Sequence, residues 1–272
     1  MTQRGPWTTT ASVLLLAAWA FPMYWMLISS VTPDERLFGG VSLLPTQPIL
    51  DHYYALFTER RFWVPIRNSL VVAGTTTAFA IVLGVPAAYA IARLRFRGQQ
   101  WISAAILAVS VFPQIAILSP LFLLLRSAGL IDTYPGLVIP YLTFSMPLAI
   151  WLMAAFLRQL PRDLEEAAIM DGASRLRAAV EIMLPLAAPG IATTAILTFL
   201  YSWNEFLFAL SFTLGPDRQT VPVAIALFRG QYQVPWGQVL AAAVVASVPV
   251  ALVVLAFQRR IVSGLTAGAV KG

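Results

Sequence analysis

The chain contains no cysteine and one histidine, His52, in 272 residues. Disulfides, thiol chemistry and cysteine-based metal sites are therefore excluded. A lone histidine beside Tyr53 reads as a surface residue of a polar loop, because a zinc site needs three or four ligands. Charge is scarce too: Asp, Glu, Lys and Arg make up 11% of the chain against 59% hydrophobic residues. A soluble domain carries about 25% charged residues to cover its surface, so this composition places the chain in a bilayer. No residue is a candidate for catalysis, cofactor binding or metal ligation.

What is present is length without charge. Runs free of Asp, Glu, Lys and Arg cover 5–33, 68–92, 98–125, 133–157, 182–204 and 230–258. Each reaches the ~20 residues that an α-helix needs to cross the hydrocarbon core. An all-α membrane protein follows, a single domain over 1–272 with six transmembrane helices near 9–31, 67–92, 101–125, 136–157, 188–211 and 239–258. The shorter run 37–50 holds two prolines and adjacent glycines and reads as a loop. The apolar stretch after Arg4 looks like a signal-peptide core ending at Ala18-Trp19-Ala20, but it continues to Val31, which predicts an uncleaved helix. Pro22, Pro86, Pro113, Pro120, Pro140, Pro147 and Pro249 fall in or beside spans. Irregular packing and a bundle whose halves rock both account for them.

The net charge of +6 would raise nucleic acid as a partner of a soluble protein. Here the bases flank apolar spans, where they act as topology signals and contacts to anionic lipid. With the N-terminus inside, the inner segments hold Arg4, Arg93, Arg95, Arg97, Arg158, Arg162, Arg175, Arg177, Arg259, Arg260 and Lys271, outnumbering the outer bases. Both termini are thereby expected in the cytoplasm of a multi-pass plasma-membrane protein. A long charged stretch, "EEAAIMDGASRLRAAVEIMLPLAAP" at 165–189, falls on the same side.

Within it, Pro161 suits a first helical position, Asp163, Glu165 and Glu166 suit the positive end of a helix, and Gly172 can adopt the left-handed turn that stops one. A second helix is expected from about Ser174 into span five. Ala167 and Ala168 leave one side of the first helix slim enough to enter a groove. Over 162–181 the acids Asp163, Glu165, Glu166, Asp171 and Glu181 outnumber the bases Arg162, Arg175 and Arg177. That excess suits a protein groove better than an anionic leaflet.

Glu166-Ala167-Ala168, Asp171-Gly172-Ala173, Leu184-Pro185 and Pro189 resemble the EAA motif of the permease subunits of bacterial ABC importers. "NSL" at 68–70, "SWNEFLFAL" at 202–210, "QYQVPWG" at 231–237 and "GLTAGAVKG" at 264–272 resemble the carbohydrate branch, of the maltose-permease second-subunit type, and the whole resembles actinobacterial permeases for disaccharides such as trehalose. Two positions depart from the pattern: Ala179 stands where an aromatic is usual, and Pro235 where an acid is common.

The resemblance implies a type I ABC importer permease fold with a cytoplasmic coupling helix in an EAA loop at 158–187. That loop would dock into an ATPase subunit through Glu165, Glu166, Ala167, Ala168, Met170, Asp171 and Gly172, followed by Leu184 and Pro185. The tail at 259–272, through Gly264, Leu265, Thr266 and Gly268, would reach between the ATPase subunits or else fray. Asn204 and Glu205 would belong to the pathway or outer gate, Glu205 stabilising the bundle rather than touching a sugar hydroxyl. Gly230, Gln231, Tyr232 and Trp236 would meet an extracytoplasmic sugar-binding protein or lipoprotein, although Tyr232 and Trp236 also suit interface anchors. A second permease subunit would complete the pathway, and ATP and Mg would sit on the ATPase dimer, not on this chain.

Carbohydrate import, of a disaccharide such as trehalose or maltose, is thus the expected function. Glycerol-phosphate or another polar solute is an alternative cargo. A stand-alone secondary transporter would need coupling carboxylates at mid-membrane, for which only Glu205 offers itself. An intramembrane enzyme would need a nucleophile with a base, or a metal cluster, which this composition does not supply.

Overall fold

The structure is a computed structural model that describes residues 6–39, 43–44, 47–228 and 234–266. Among these every regular element is helical. The chain has two compact units, Met1–Trp63 with Ala224–Pro249, and Val64–Val223 with Val250–Gly272.

The first unit contains α1 (Pro6–Ser30), α2 (Asp34–Leu37) and α3 (Asp51–Thr58). The apolar stretch of α1 is unburied, as expected of a helix solvated by lipid, and only its end, at Ser29 and Ser30, is buried. At its end the Ser30 and Tyr53 hydroxyls are 2.7 Å apart. His52 is not a surface residue: it is 6% exposed, and its Nε2 lies 3.0 Å from the Thr32 carbonyl. A carbonyl only accepts, so Nε2 carries the proton. α3 buries one face through His52 and Leu56, an i, i+4 pair that a charge count along the chain does not reveal.

The second unit is built on α4 (Trp63–Arg93), α5 (Gln99–Val111), α6 (Gln114–Ser127) and α7 (Tyr134–Gln159). It continues with α8 (Asp163–Met170), α9 (Arg175–Ala178), a π-turn over Ala179–Met183, α10 (Leu184–Leu186), α11 (Ala188–Asn204) and α12 (Leu207–Phe212), while α13 (Val221–Ala226) contributes residues to both units. The last helix, α14 (Trp236–Thr266), runs beyond the expected end of span six at 258.

Trp7–Ser30, Trp63–Arg93, Tyr134–Gln159 and Trp236–Phe257 are long and apolar enough to cross a membrane as single helices. Sharp bends mark the other two expected spans, inside the third and just before the start of the fifth at 188. α5 and α6 meet at 93°, and Arg175–Leu186 meets α11 at 72°. Pro113 explains the first bend, since it cannot donate to the ladder and forces Phe112 into extended backbone (φ −67°, ψ 131°). The remaining span prolines, Pro22, Pro86, Pro120, Pro140, Pro147 and Pro249, lie inside helices. Span five, expected to run to 211, stops at Asn204.

α7 is the central element of the second unit, packed against α5, α11 and α12. One apolar cluster joins Val72, Leu125, Tyr141, Phe144, Phe208 and Phe212, with the Phe208 ring 5.6 Å from both Phe144 and Phe212. A second, toward the other end of α7, joins Val85, Ala88, Ile91, Ile150, Met153, Leu157 and Ala187. Gly190 lets α11 close on α7: a Cβ there would collide with the Phe156 ring.

Candidate functional site

α8 begins at Asp163, so Pro161 lies before the helix and is not its first residue. Asp163, Glu165 and Glu166 occupy the first turn, where the exposed N–H groups favour negative charge. Its end is a Schellman turn. Gly172 takes φ +91°, its N–H reaches the Ile169 carbonyl at 3.0 Å, and the Ala173 N–H reaches the Ala168 carbonyl at 3.0 Å. Ser174 then caps α9, its hydroxyl accepting from the Arg177 N–H at 3.2 Å.

The π-turn follows immediately before Pro185, whose missing N–H breaks the regular ladder. The widened turn sets Ala178, Ala179, Met183 and Ala187 on the buried side. Ala179, where the resemblance leads one to expect an aromatic, is thus an inward-facing position. Leu184 is half-buried and Pro185 exposed.

The sides of α8 have different roles. Ala168 is 7% exposed and faces its own chain, and Glu165 is also turned inward. Glu166, Ala167, Met170 and Asp171 are exposed, Met170 to 87%. The slim side expected at Ala167-Ala168 is therefore divided: Ala168 lets α8 sit close to its own bundle, and Ala167 faces out.

Glu165 meets the end of α4. It accepts a hydrogen bond from the Tyr89 hydroxyl at 2.5 Å, and its other oxygen is 4.0 Å from Arg93 Nε. The Arg93 side chain is 2% exposed. Its Nη2 donates to the carbonyls of Leu157 at 2.6 Å and Leu160 at 2.7 Å, at the end of α7 where helix carbonyls lack intrahelical partners. One α4 turn thus holds α8 through an acid and α7 through its C-terminus. Beside it, Arg93, Arg162, Glu165, Glu166, Ile169 and Arg175 line a recess of ≈140 Å³ with Leu94. Tyr89 was not among the sequence candidates, and Arg93 stood there only as a topology charge. Their i, i+4 spacing was visible, but nothing local says which helix that face meets.

At the other end of this unit, Glu205 lies in extended backbone (φ −65°, ψ 130°) between α11 and α12. It is 7% exposed, its Oε1 accepting from the Phe208 N–H at 2.8 Å and its Oε2 from the Ala209 N–H at 3.1 Å. The carboxylate thus satisfies first-turn N–H groups of α12. Buried Tyr141 lies close enough to interact with it electrostatically without hydrogen-bond geometry at its hydroxyl. Asn204 is exposed on a recess of ≈570 Å³ lined by Gln114, Leu200, Tyr201, Asn204, Glu205, Phe206 and Leu207.

The "NSL" motif is a clamp. Asn68 is fully buried; its amide donates to the carbonyls of Asp217 and Gln219 at 2.9 Å each, and its oxygen accepts from Tyr134 at 2.8 Å. Ser69 accepts from the Val221 N–H at 2.8 Å. Asp132 adds a bond from the Leu214 N–H at 3.1 Å. Of the expected binding-protein loop, Gly230, Gln231 and Tyr232 lie outside the described residues. Trp236 opens α14 and is 47% exposed, and the adjacent Gly237 N–H donates to Asp34 at 3.0 Å. In the tail, Gly264, Leu265 and Thr266 lie in the final turns of α14, and Gly268 lies outside the described residues.

An all-helical chain with long apolar helices, two bent spans and a short, sharply stopped acidic helix between α7 and α11 is a membrane permease subunit in form. The family model described as "Binding-protein-dependent transport system inner membrane component" matches residues 80–266. The trehalose transport system permease protein SugB of Mycobacterium tuberculosis is 43% identical over 99% of both chains. The trehalose/maltose transport system permease protein MalG of Thermococcus litoralis is 39% identical over 96% of this chain and 95% of its own. The sulfoquinovosyl glycerol transport system permease protein SmoH of Agrobacterium fabrum is 40% identical over 96% of this chain and 92% of its own. Among solved structures, a bacterial ABC transporter that imports the acidic polysaccharide alginate aligns with a TM-score of 0.79 at 23% identity, covering 93% of this chain and 95% of that one.

The chain belongs to the family of inner-membrane components of binding-protein-dependent transport systems. It is an ABC importer permease, a transport subunit and not an enzyme.

Proposed function

We propose that this subunit forms half of a carbohydrate translocation pathway and that α8 is its coupling helix. The observation that carries the reading is the attachment of α8: its inner face is held to α4 and, through Arg93, to the end of α7, while Glu166, Ala167 and Met170 face outward. A pair of ATPase subunits, which hold the ATP and Mg, receives that outward face. Glu166 meets a base in the cleft, and Met170 supplies a soft, adaptable apolar contact.

For work to be transmitted, the contacts must differ between the open and closed ATPase pair. A displaced α8 then pulls on α4 and α7 together through the Tyr89–Glu165–Arg93 node. Both termini lie in the cytoplasm in this reading, supported by the arginines at 93, 95, 97, 158 and 162. The tail, with Gly264, Leu265, Thr266 and Gly268, lies near the ATPase pair. A second permease supplies the other half of the pathway. The loop carrying Gly230, Gln231, Tyr232 and Trp236 receives a sugar-binding protein in this reading. One related structure contains an alginate pentasaccharide-bound periplasmic protein. The transport activities for which SugB, MalG and SmoH are named support a sugar or sugar-containing cargo, trehalose or maltose first.

The test is reconstitution with the partner subunits and binding protein in proteoliposomes. Trehalose or maltose uptake that requires ATP and resists ionophores is expected, together with cross-linking of Met170→Cys to the ATPase. Uptake by this chain alone, uptake driven by an ion gradient, or uptake of glycerol-phosphate but no sugar would each overturn the reading.

A further inference from the structure

Two helix interruptions meet in the second unit. The polypeptide turns by 93° at Phe112-Pro113, and α11 ends at Asn204, two residues before α12. Gln114, first residue of α6, donates its side-chain amide to the Tyr201 hydroxyl on α11. α5, with 13 residues, and α11, with 17, rise about 20 and 25 Å at 1.5 Å per residue. Both breaks thus fall within reach of a ~30 Å hydrocarbon core. Hydrocarbon cannot satisfy freed backbone groups, so non-helical chain at that depth persists only inside protein or beside a water-filled cavity. Here it borders the ≈570 Å³ recess.

The wall chemistry narrows the ligand. Glu205 is spent, since both carboxylate oxygens serve α12. Asn204 is exposed, and its Nδ2 donates back to the Leu200 carbonyl at 2.8 Å, leaving Oδ1 with no partner among the described residues. Tyr201 and Gln114 add a hydroxyl and an amide, and Phe206, 39% exposed, adds an aromatic face. Among the described residues no base lines the recess, which disfavours an anion. Uncharged donors and acceptors beside an aromatic ring, with an apolar majority, are what a neutral polyhydroxylated ligand requires.

We infer that this recess is a saccharide subsite of the translocation pathway. Gln114, Tyr201 and Asn204 hydrogen-bond sugar hydroxyls, and Phe206 covers an apolar sugar face. The inference rests on the proposed carbohydrate cargo and assigns part of its selection to this subunit.

The chain has no cysteine, so Asn204→Cys introduces its only thiol. In the complete transporter in proteoliposomes, modification of that thiol by a small methanethiosulfonate reagent is followed with and without saturating trehalose or maltose. The transported sugar is expected to slow modification about tenfold, as displacement of solvent from a filled site requires. A thiol at Leu214→Cys, exposed in a loop, should react at the same rate with or without sugar. Tyr201→Phe, which removes one oxygen, should raise the uptake KM about tenfold with a smaller change in kcat, as loss of a hydroxyl partner predicts.

If sugar is carried but the thiol at 204 is unprotected and Tyr201→Phe leaves KM unchanged, the subsite is overturned and the carbohydrate reading stands. If no saccharide is transported, both fall. Should Asn204→Cys fail to assemble, the Tyr201→Phe KM decides alone.

Discussion

The Tyr89 hydroxyl donates to Glu165 at 2.5 Å across 76 residues of sequence, so the end of a membrane-spanning helix grips the first turn of the helix that faces outward. A hydrogen bond to a carboxylate contributes about 1.5–3 kcal/mol. Tyr89→Phe keeps the ring and removes this bond. Transport per ATP hydrolysed is expected to fall severalfold with normal membrane abundance, measured by sugar uptake and phosphate release on the same vesicles. Unchanged stoichiometry would remove Tyr89 from the transmission path.

Arg93 is different in kind because it is buried and serves carbonyls at the end of another helix. Arg93→Met takes its donor from the Leu160 carbonyl, at about 1–3 kcal/mol for a buried group left unsatisfied, while the Leu157 carbonyl keeps the Leu160 N–H at 3.3 Å. A lowered Tm of the detergent-solubilised complex and reduced abundance are expected. The loss should exceed that of Arg177→Met, whose partner Glu181 forms an exposed pair worth little.

Gly172 is open on all sides, with nothing within 4 Å of an added Cβ. Its constraint is its positive φ alone. Gly172→Ala should cost about 1–2 kcal/mol, Gly172→Asn less. Coupling should decline in the order Gly, Asn, Ala, whereas Glu166→Lys should abolish ATPase coupling with the fold intact. Co-purification of the ATPase with each variant is the measurement. Equal recovery of ATPase with Glu166→Lys and with the unchanged chain would contradict the assigned outward role.

Asn68 donates to two carbonyls and accepts from Tyr134 with no exposure to solvent. Asn68→Asp cannot donate when ionised and would place a carboxylate against carbonyl oxygens, a loss of several kcal/mol. Proteolysis within 213–220 should accelerate strongly. Ser69→Ala, losing one bond to Val221, should show a smaller increase.

Much of the architecture was legible from local chemistry. Charge-free length identified the apolar spans, and Gly172 announced the helix stop, because both depend on residues within a few positions of one another. Hydropathy measures how apolar a run is, not its direction, so the turn at Pro113 lay hidden inside a run, 98–125, that looked continuous. His52 was misread for a related reason: a polar neighbourhood in sequence became a buried one when Thr32 met its ring.

Acid placement along 163–166 determined that a short helix would form and which end would favour negative charge. Only the tertiary structure decided which of those acids turns inward, since Glu165 and Glu166 are chemically alike until one meets Tyr89 and Arg93. Asn68 likewise acquires its role from carbonyls 149 and 151 residues away. Local rules fix helix ends because they act through neighbouring backbone groups. Partners distant along the chain are chosen by packing, where a buried donor or acceptor must find its complement wherever the fold brings one.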